Sequence, residues 1–127
     1  MGANGQIATT GTLTEGDTQW NAIASVGRVH ILQQTTKGSL KVPKQADANS
    51  TVAIFRKDGK DVKAIAHYGP DKQKVWEIHT VPHGGLNPHY HPWVNNQPLP
   101  MDHPRYALPL NKEMQKILDD VRNFKQY

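Results

Sequence analysis

The stretch Thr51-Val52-Ala53-Ile54-Phe55-Arg56-Lys57-Asp58-Gly59-Lys60-Asp61-Val62-Lys63-Ala64-Ile65-Ala66-His67-Tyr68-Gly69-Pro70-Asp71-Lys72-Gln73-Lys74-Val75-Trp76-Glu77-Ile78-His79-Thr80-Val81 decides the fold of this chain. Thr51 to Arg56 is rich in β-formers, and the Asp58-Gly59 pair that follows is a strong hairpin signal. Val62 to Tyr68 reads as a second strand. Gly69-Pro70-Asp71 turns the chain, and Lys74 to Val81 reads as a third strand. The three predict an antiparallel meander.

Working outward, Val29 to Gln33 reads as a further short strand. Thr14 with Glu15 and Asp17 resembles a helix N-terminus, and Trp20, Ile23 and Ala24 recur at helical spacing up to Gly27, which predicts an N-terminal helix. Thr35 to Ser50 is polar and reads as a long loop. Its Lys37, Lys41 and Lys44 form either a solvated or a phosphate-facing surface. Pro82 to Pro109 reads as a long Pro/His-rich loop that wraps over the sheet. Asn111 can cap a final helix whose Met114, Ile117, Leu118, Val121 and Phe124 form one apolar face. The expectation is an α+β fold: a small antiparallel sheet of at least three strands, packed by an N-terminal and a C-terminal helix. Residues 1–12 read as a flexible leader and 13–127 as a single domain.

The bulk composition narrows the function. A chain of 127 residues supports one modest core. Its net charge of +4 suits an anionic partner such as nucleic acid. The absence of cysteine excludes disulfides, thiolate zinc sites and cysteine nucleophiles. The sequence has no run near the roughly 18 to 20 apolar residues of a membrane span, so no membrane partner is expected. The polar start does not read as a signal peptide.

Chemistry is expected where the histidines gather. Of the 7 histidines, His79, His83, His89 and His91 fall in one short Gly- and Pro-laced run. Histidine can exchange a proton near neutral pH and is the commonest metal ligand. Side chains alternate across a strand. A five-residue turn after Tyr68 would place Lys63 opposite His79 and Ile65 opposite Glu77. Lys63, His67, Glu77 and His79 would then share one surface, opposite Trp76 and Ile78. A lysine, two histidines and a glutamate suit metal-free RNA cleavage, in which one group takes the 2′-OH proton, another protonates the leaving oxygen and a cation steadies the phosphorane. Alternatively, His79, His83, His89 and His91 could converge on one divalent ion. Gly84-Gly85 would let backbone amides face an anion, and Tyr90 and Trp93 would anchor the loop.

The stretch from Asn49 to Trp93 resembles a module of small prophage proteins and of C-terminal domains of bacterial polymorphic toxins. The resemblance is carried by Ser50-Thr51-Val52, Asp58-Gly59, Tyr68-Gly69-Pro70-Asp71, Val75-Trp76-Glu77-Ile78-His79, His83-Gly84-Gly85, Asn87-Pro88 and His89-Tyr90-His91-Pro92-Trp93. Such domains are likened to the barnase, EndoU, colicin and RelE group of ribonucleases. The resemblance implies a compact helix-plus-sheet fold, metal-independent RNA cleavage and a cognate immunity protein. His79, Pro82 and His83-Gly84-Gly85 are also similar to the first strand of ββα-metal (HNH-type) nucleases.

Three functions therefore stand as expectations. The first is a toxin-like endoribonuclease without a cofactor, acting on tRNA or another structured RNA in the bacterial cytoplasm, with delivery from another cell. His79 with His67, His83 or His91 would supply acid and base, Glu77 the orienter or base, and Lys63, His89 and Arg105 the substrate contacts. The second is a non-enzymatic prophage protein that binds a host partner, and the third a metal-dependent HNH-like DNase.

Overall fold

The computed structural model describes residues 11–80 and 88–124. They form one eight-stranded sheet whose spatial order follows the chain: β1 (Thr12–Glu15), β2 (Thr18–Val26), β3 (Val29–Gln34), β4 (Thr51–Phe55), β5 (Val62–Tyr68), β6 (Lys74–His79), β7 (His89–Val94) and β8 (Gln97–Pro98). All neighbours pair antiparallel except β3 and β4, which run parallel. A parallel pair cannot be joined by a tight turn, so residues 35–50 cross over one face. One helix, α1 (Lys112–Arg122), follows the sheet. No helix among the described residues is long and apolar enough to cross a membrane.

The sheet has two buried faces. On one, Trp20, Ala22, Leu32, Val52, Ile54 and Tyr68 pack under Val42 and Ala46 of the crossover. On the other, Ile31, Ala53, Ile65 and Ile78 pack against Met114, Leu118 and Val121 of α1. The Asn111 side chain accepts the Met114 N–H at 2.8 Å, which caps the helix as its sequence predicts. The crossover is pinned at three points. Trp20 Nε1 donates to the Lys41 carbonyl at 2.9 Å, the Tyr68 hydroxyl donates to the Pro43 carbonyl, and Glu15 accepts the Lys44 amide at 2.9 Å. Burial, with the charges of Glu77 and Glu15, pushes the Tyr68 hydroxyl far up, so it stays a donor.

The meander over 51–79 and the C-terminal helix form as expected, and three expectations are corrected. No N-terminal helix is formed among the described residues. That segment is the β1–β2 hairpin, turning at Gly16, whose φ of +59° suits glycine. Ile23 is an extra residue between Ala22 and Ala24 in the pairing with β3. This bulge sends Trp20 and Ala22 to one core and Ala24 to the other, so apolar residues fall at uneven spacing and imitate a helical stripe.

The second correction is that the Pro/His-rich segment is partly regular. It contains β7 and β8, joined at Asn95-Asn96, both with positive φ as a tight primed hairpin turn requires. Pro92 is tolerated within β7 because its missing N–H would point, like that of Tyr90, to the outer side of the strand and away from β6.

The third correction is the register of β5 and β6. Tyr68 pairs with Lys74, as a five-residue turn dictates, but His67 pairs with Trp76, leaving Val75 as a bulge. That one extra residue moves the following pairs by one, to Ala66 with Glu77, Ile65 with Ile78 and Ala64 with His79. Glu77 and His79 therefore share a face with Tyr68, while His67 lies on the α1 face with Trp76.

Candidate functional site: a histidine cluster on β6 and β7

The bulge builds the site. In a regular strand, residues three apart point to opposite faces. Because Val75 is looped out, Lys74 and Glu77 point the same way and pair at 2.8 Å. Both are covered, with side chains 4% and 13% exposed. The other Glu77 oxygen lies 2.6 Å from His79 Nε2. Burial alone would raise the Glu77 carboxyl. The hydrogen bond from His79 and the Lys74 charge outweigh it and hold Glu77 below the ordinary carboxylate range. Lys74 Nζ also stands 4.0 Å from the centroid of the Trp93 ring.

Strand β7 supplies the facing row. Cross-strand pairing sets Glu77 opposite His91 and His79 opposite His89, on the same face. His89 and His91 are 2% and 7% exposed, so the pair lies beneath the more open His79. Segment 106–108 is held beside β7 by the Tyr90 and Leu108 backbone bonds of 2.8 and 2.9 Å. It thereby presents the Tyr106 carbonyl 2.7 Å from His91 Nδ1.

These neighbours fix the ring protons. A carbonyl oxygen can only accept, so His91 Nδ1 carries hydrogen and Nε2 keeps the lone pair in the neutral ring. The Glu77 carboxylate likewise places hydrogen on His79 Nε2, leaving the lone pair on Nδ1. His91 Nε2 meets His89 Nε2 at 3.1 Å. One nitrogen from each of His79, His89 and His91 lies within 4.8 Å of the other two. The rings stand edge to face, with centroids 4.7 to 5.6 Å apart.

That spacing bears on two chemistries. Three nitrogens on one zinc-sized ion, each about 2.0–2.1 Å from it, are about 3.3 Å apart in tetrahedral geometry. The 3.1 Å pair already has this separation, and His79, 34% exposed, would have to bring its nitrogen inward to complete the set. An acid and a base acting on opposite sides of one phosphate are farther apart. Their two hydrogen bonds alone span about 5.6 Å before the phosphate is counted. The carboxylate on His79 and the carbonyl on His91 are also the outer partners that orient histidine ligands in metal sites.

Of the residues singled out from sequence, Glu77, His79, His89 and His91 are brought together. His83, Gly84 and Gly85 lie outside the described residues. His67 stacks on Trp76 at 5.5 Å on the opposite face, with Thr51 Oγ1 2.8 Å from its Nδ1. Burial lowers its pKa, against a small upward pull from Glu113. Lys63 is the extra residue of a third bulge, between the pairs Ile54–Ala64 and Phe55–Val62. Arg105 is exposed, one residue before the Tyr106 carbonyl. Sequence reasoning missed Lys74 and the Tyr106 carbonyl. Lys74 is hidden by the bulge, and a backbone acceptor carries no residue-type signal.

A cleft of about 410 Å³ opens beside Glu77, lined by Glu15, Lys41, Lys44, Lys74, Glu77 and Trp93. Comparison with protein-family models, with curated proteins and with solved structures finds no match for this chain.

Proposed function

We propose that this protein is a metal-dependent nuclease whose centre is a divalent transition ion held by His79, His89 and His91. The observation that carries the reading is the convergence of one nitrogen from each of three imidazoles, with Glu77 bonded to the His79 ring and the Tyr106 carbonyl to the His91 ring. Neutral imidazole suits zinc, copper, nickel or iron, and three protein ligands leave coordination open for water. A divalent ion held by these three residues would supply acidification of water and withdrawal of charge from a phosphoryl oxygen. In the hydrolysis the oxygen of water would bond to phosphorus as the ester P–O bond breaks, the proton lost by water passing to solvent and the leaving oxygen taking one from solvent. The basic balance of the chain and the lysines beside Glu77 favour a phosphodiester substrate.

The test uses protein stripped with EDTA, then titrated with zinc or cobalt(II), and assayed on bacterial RNA and plasmid DNA. The expected result is one ion bound per chain, cleavage only in the loaded form, and loss of both in His91→Ala. Cleavage unaffected by EDTA, with no ion bound, would overturn the metal reading.

A second reading rests on the 2.6 Å contact between Glu77 and His79. A carboxylate that orients an accessible histidine is the arrangement of a general base and its orienter. Under it the protein cleaves tRNA or another structured RNA without metal in the bacterial cytoplasm. A cognate immunity protein would restrain it, as the toxin resemblance implies. Its signature is a 2′,3′-cyclic phosphate product formed in EDTA and lost in His79→Ala.

A further inference from the structure

Beside the histidine cluster, the 410 Å³ cleft combines features that the metal centre does not use. Trp93 lies two residues beyond His91 on the same face of β7. Its Cα is therefore roughly 7 Å along the strand from that of His91. Lys41 and Lys44 come from the opposite wall, on the crossover, and both are exposed. The backbone beneath them is held by Trp20, by Tyr68 and by Glu15, which accepts both the Lys44 and the Gln45 amides. The pinned loop fixes the backbone of both lysines, so only their side chains have to order when an anion arrives.

We infer that this cleft is a nucleotide subsite for single-stranded nucleic acid. A base packs on the face of the Trp93 indole away from Lys74, and its phosphate lies between Lys41 and Lys44. The adjoining phosphodiester then falls at the His79, His89 and His91 cluster. An aromatic platform beside a basic rim is how single strands are held without sequence preference. Glu15 and Glu77 also line the cleft, but both are engaged, Glu15 by the crossover amides and Glu77 by Lys74 and His79. The Lys74 charge offsets that of Glu77, and the crossover amides hold the Glu15 carboxylate against the loop.

The substrate class rests on the nuclease reading, so the test measures binding apart from cleavage. The probe is a fluorescein-labelled 2′-O-methyl oligouridine, which lacks the attacking 2′-OH, titrated in EDTA by anisotropy. Trp93→Leu should weaken binding about tenfold or more, and Trp93→Phe should recover most of the loss, since stacking survives in phenylalanine. Lys41→Ala with Lys44→Ala changes only exposed side chains. It should flatten the dependence of log K on log salt by about 0.7, the value for one single-strand phosphate neutralised. An unchanged salt slope in the lysine variant, or equal affinity in Trp93→Leu and the parent, would overturn the subsite. Tight oligomer binding without cleavage of RNA or DNA under any metal condition would overturn the nuclease reading and leave the subsite standing.

Discussion

Replacing Glu77 with glutamine removes one charge from the centre of the β6 row and changes almost no volume. In the parent, the two carboxylate oxygens answer the Lys74 ammonium at 2.8 Å and the His79 ring at 2.6 Å. The Glu77→Gln side chain keeps one acceptor and turns its amide donors toward another donor. Lys74, whose side chain is 4% exposed, then holds a buried charge with only the Trp93 ring against it. Removing one partner of a buried pair costs about 3–5 kcal/mol, and the retained acceptor and ring contact place this case near 3 kcal/mol. For a domain of this size that lowers Tm by roughly 10 °C. The assay is urea unfolding at pH 7, closed as a cycle with Lys74→Met. Because the stranded charge is the cause, the double variant should recover more than about 1.5 kcal/mol of the loss. Glu77 sits below its unfolded value, so its contribution is present above the ordinary carboxylate range and is lost as pH falls through the folded value. The gap between parent and variant should accordingly narrow below about pH 4. A Glu77→Gln cost under about 1 kcal/mol, or a double variant showing the simple sum, would refute the argument.

Leu118→Ala, at a fully buried position of α1, should cost about 3 kcal/mol in the same assay. Metal binding at 25 °C should be unchanged, because the helix covers the face opposite the histidines; a lost site would show the two faces to be coupled. His67→Gln probes a histidine whose pKa burial lowers. The unfolded chain takes up its proton first, so the parent loses stability as pH falls from about 7 through the ordinary value toward the folded one. The variant should show a shallower loss between pH 7 and 5 in thermal unfolding, and parallel curves would refute the role of burial.

What the sequence showed depended on how local the cause was. Asp58-Gly59 and Asn111 announce a hairpin and a cap through their own chemistry, and both form. The meander and the histidine-rich end of the chain were legible for the same reason. The bulges at Ile23 and Val75 were not, since an extra residue is defined only by the partner strand it fails to match. The first disguised a strand as a helix, and the second moved His67 away from Glu77 and His79. Strand β7 was obscured by Pro92, which argues against a strand unless the edge is known. His89 and His91 stand two apart in the sequence and project to one side of β7. Their partner across the sheet follows only from the β6–β7 register.

The Val75 bulge also makes this strand unusually forgiving of one genetic event. Deleting the Val75 codon leaves Lys74 opposite Tyr68 and Trp76 opposite His67, so every residue downstream keeps its side of the sheet. Deleting Ile78 instead makes Glu77 and His79 immediate neighbours in the chain and turns them to opposite sides. Lineages carrying this fold should therefore tolerate a codon lost at position 75 and purge one lost at position 78. The boundary between a drifting stretch of gene and a frozen one would fall inside a single six-residue strand.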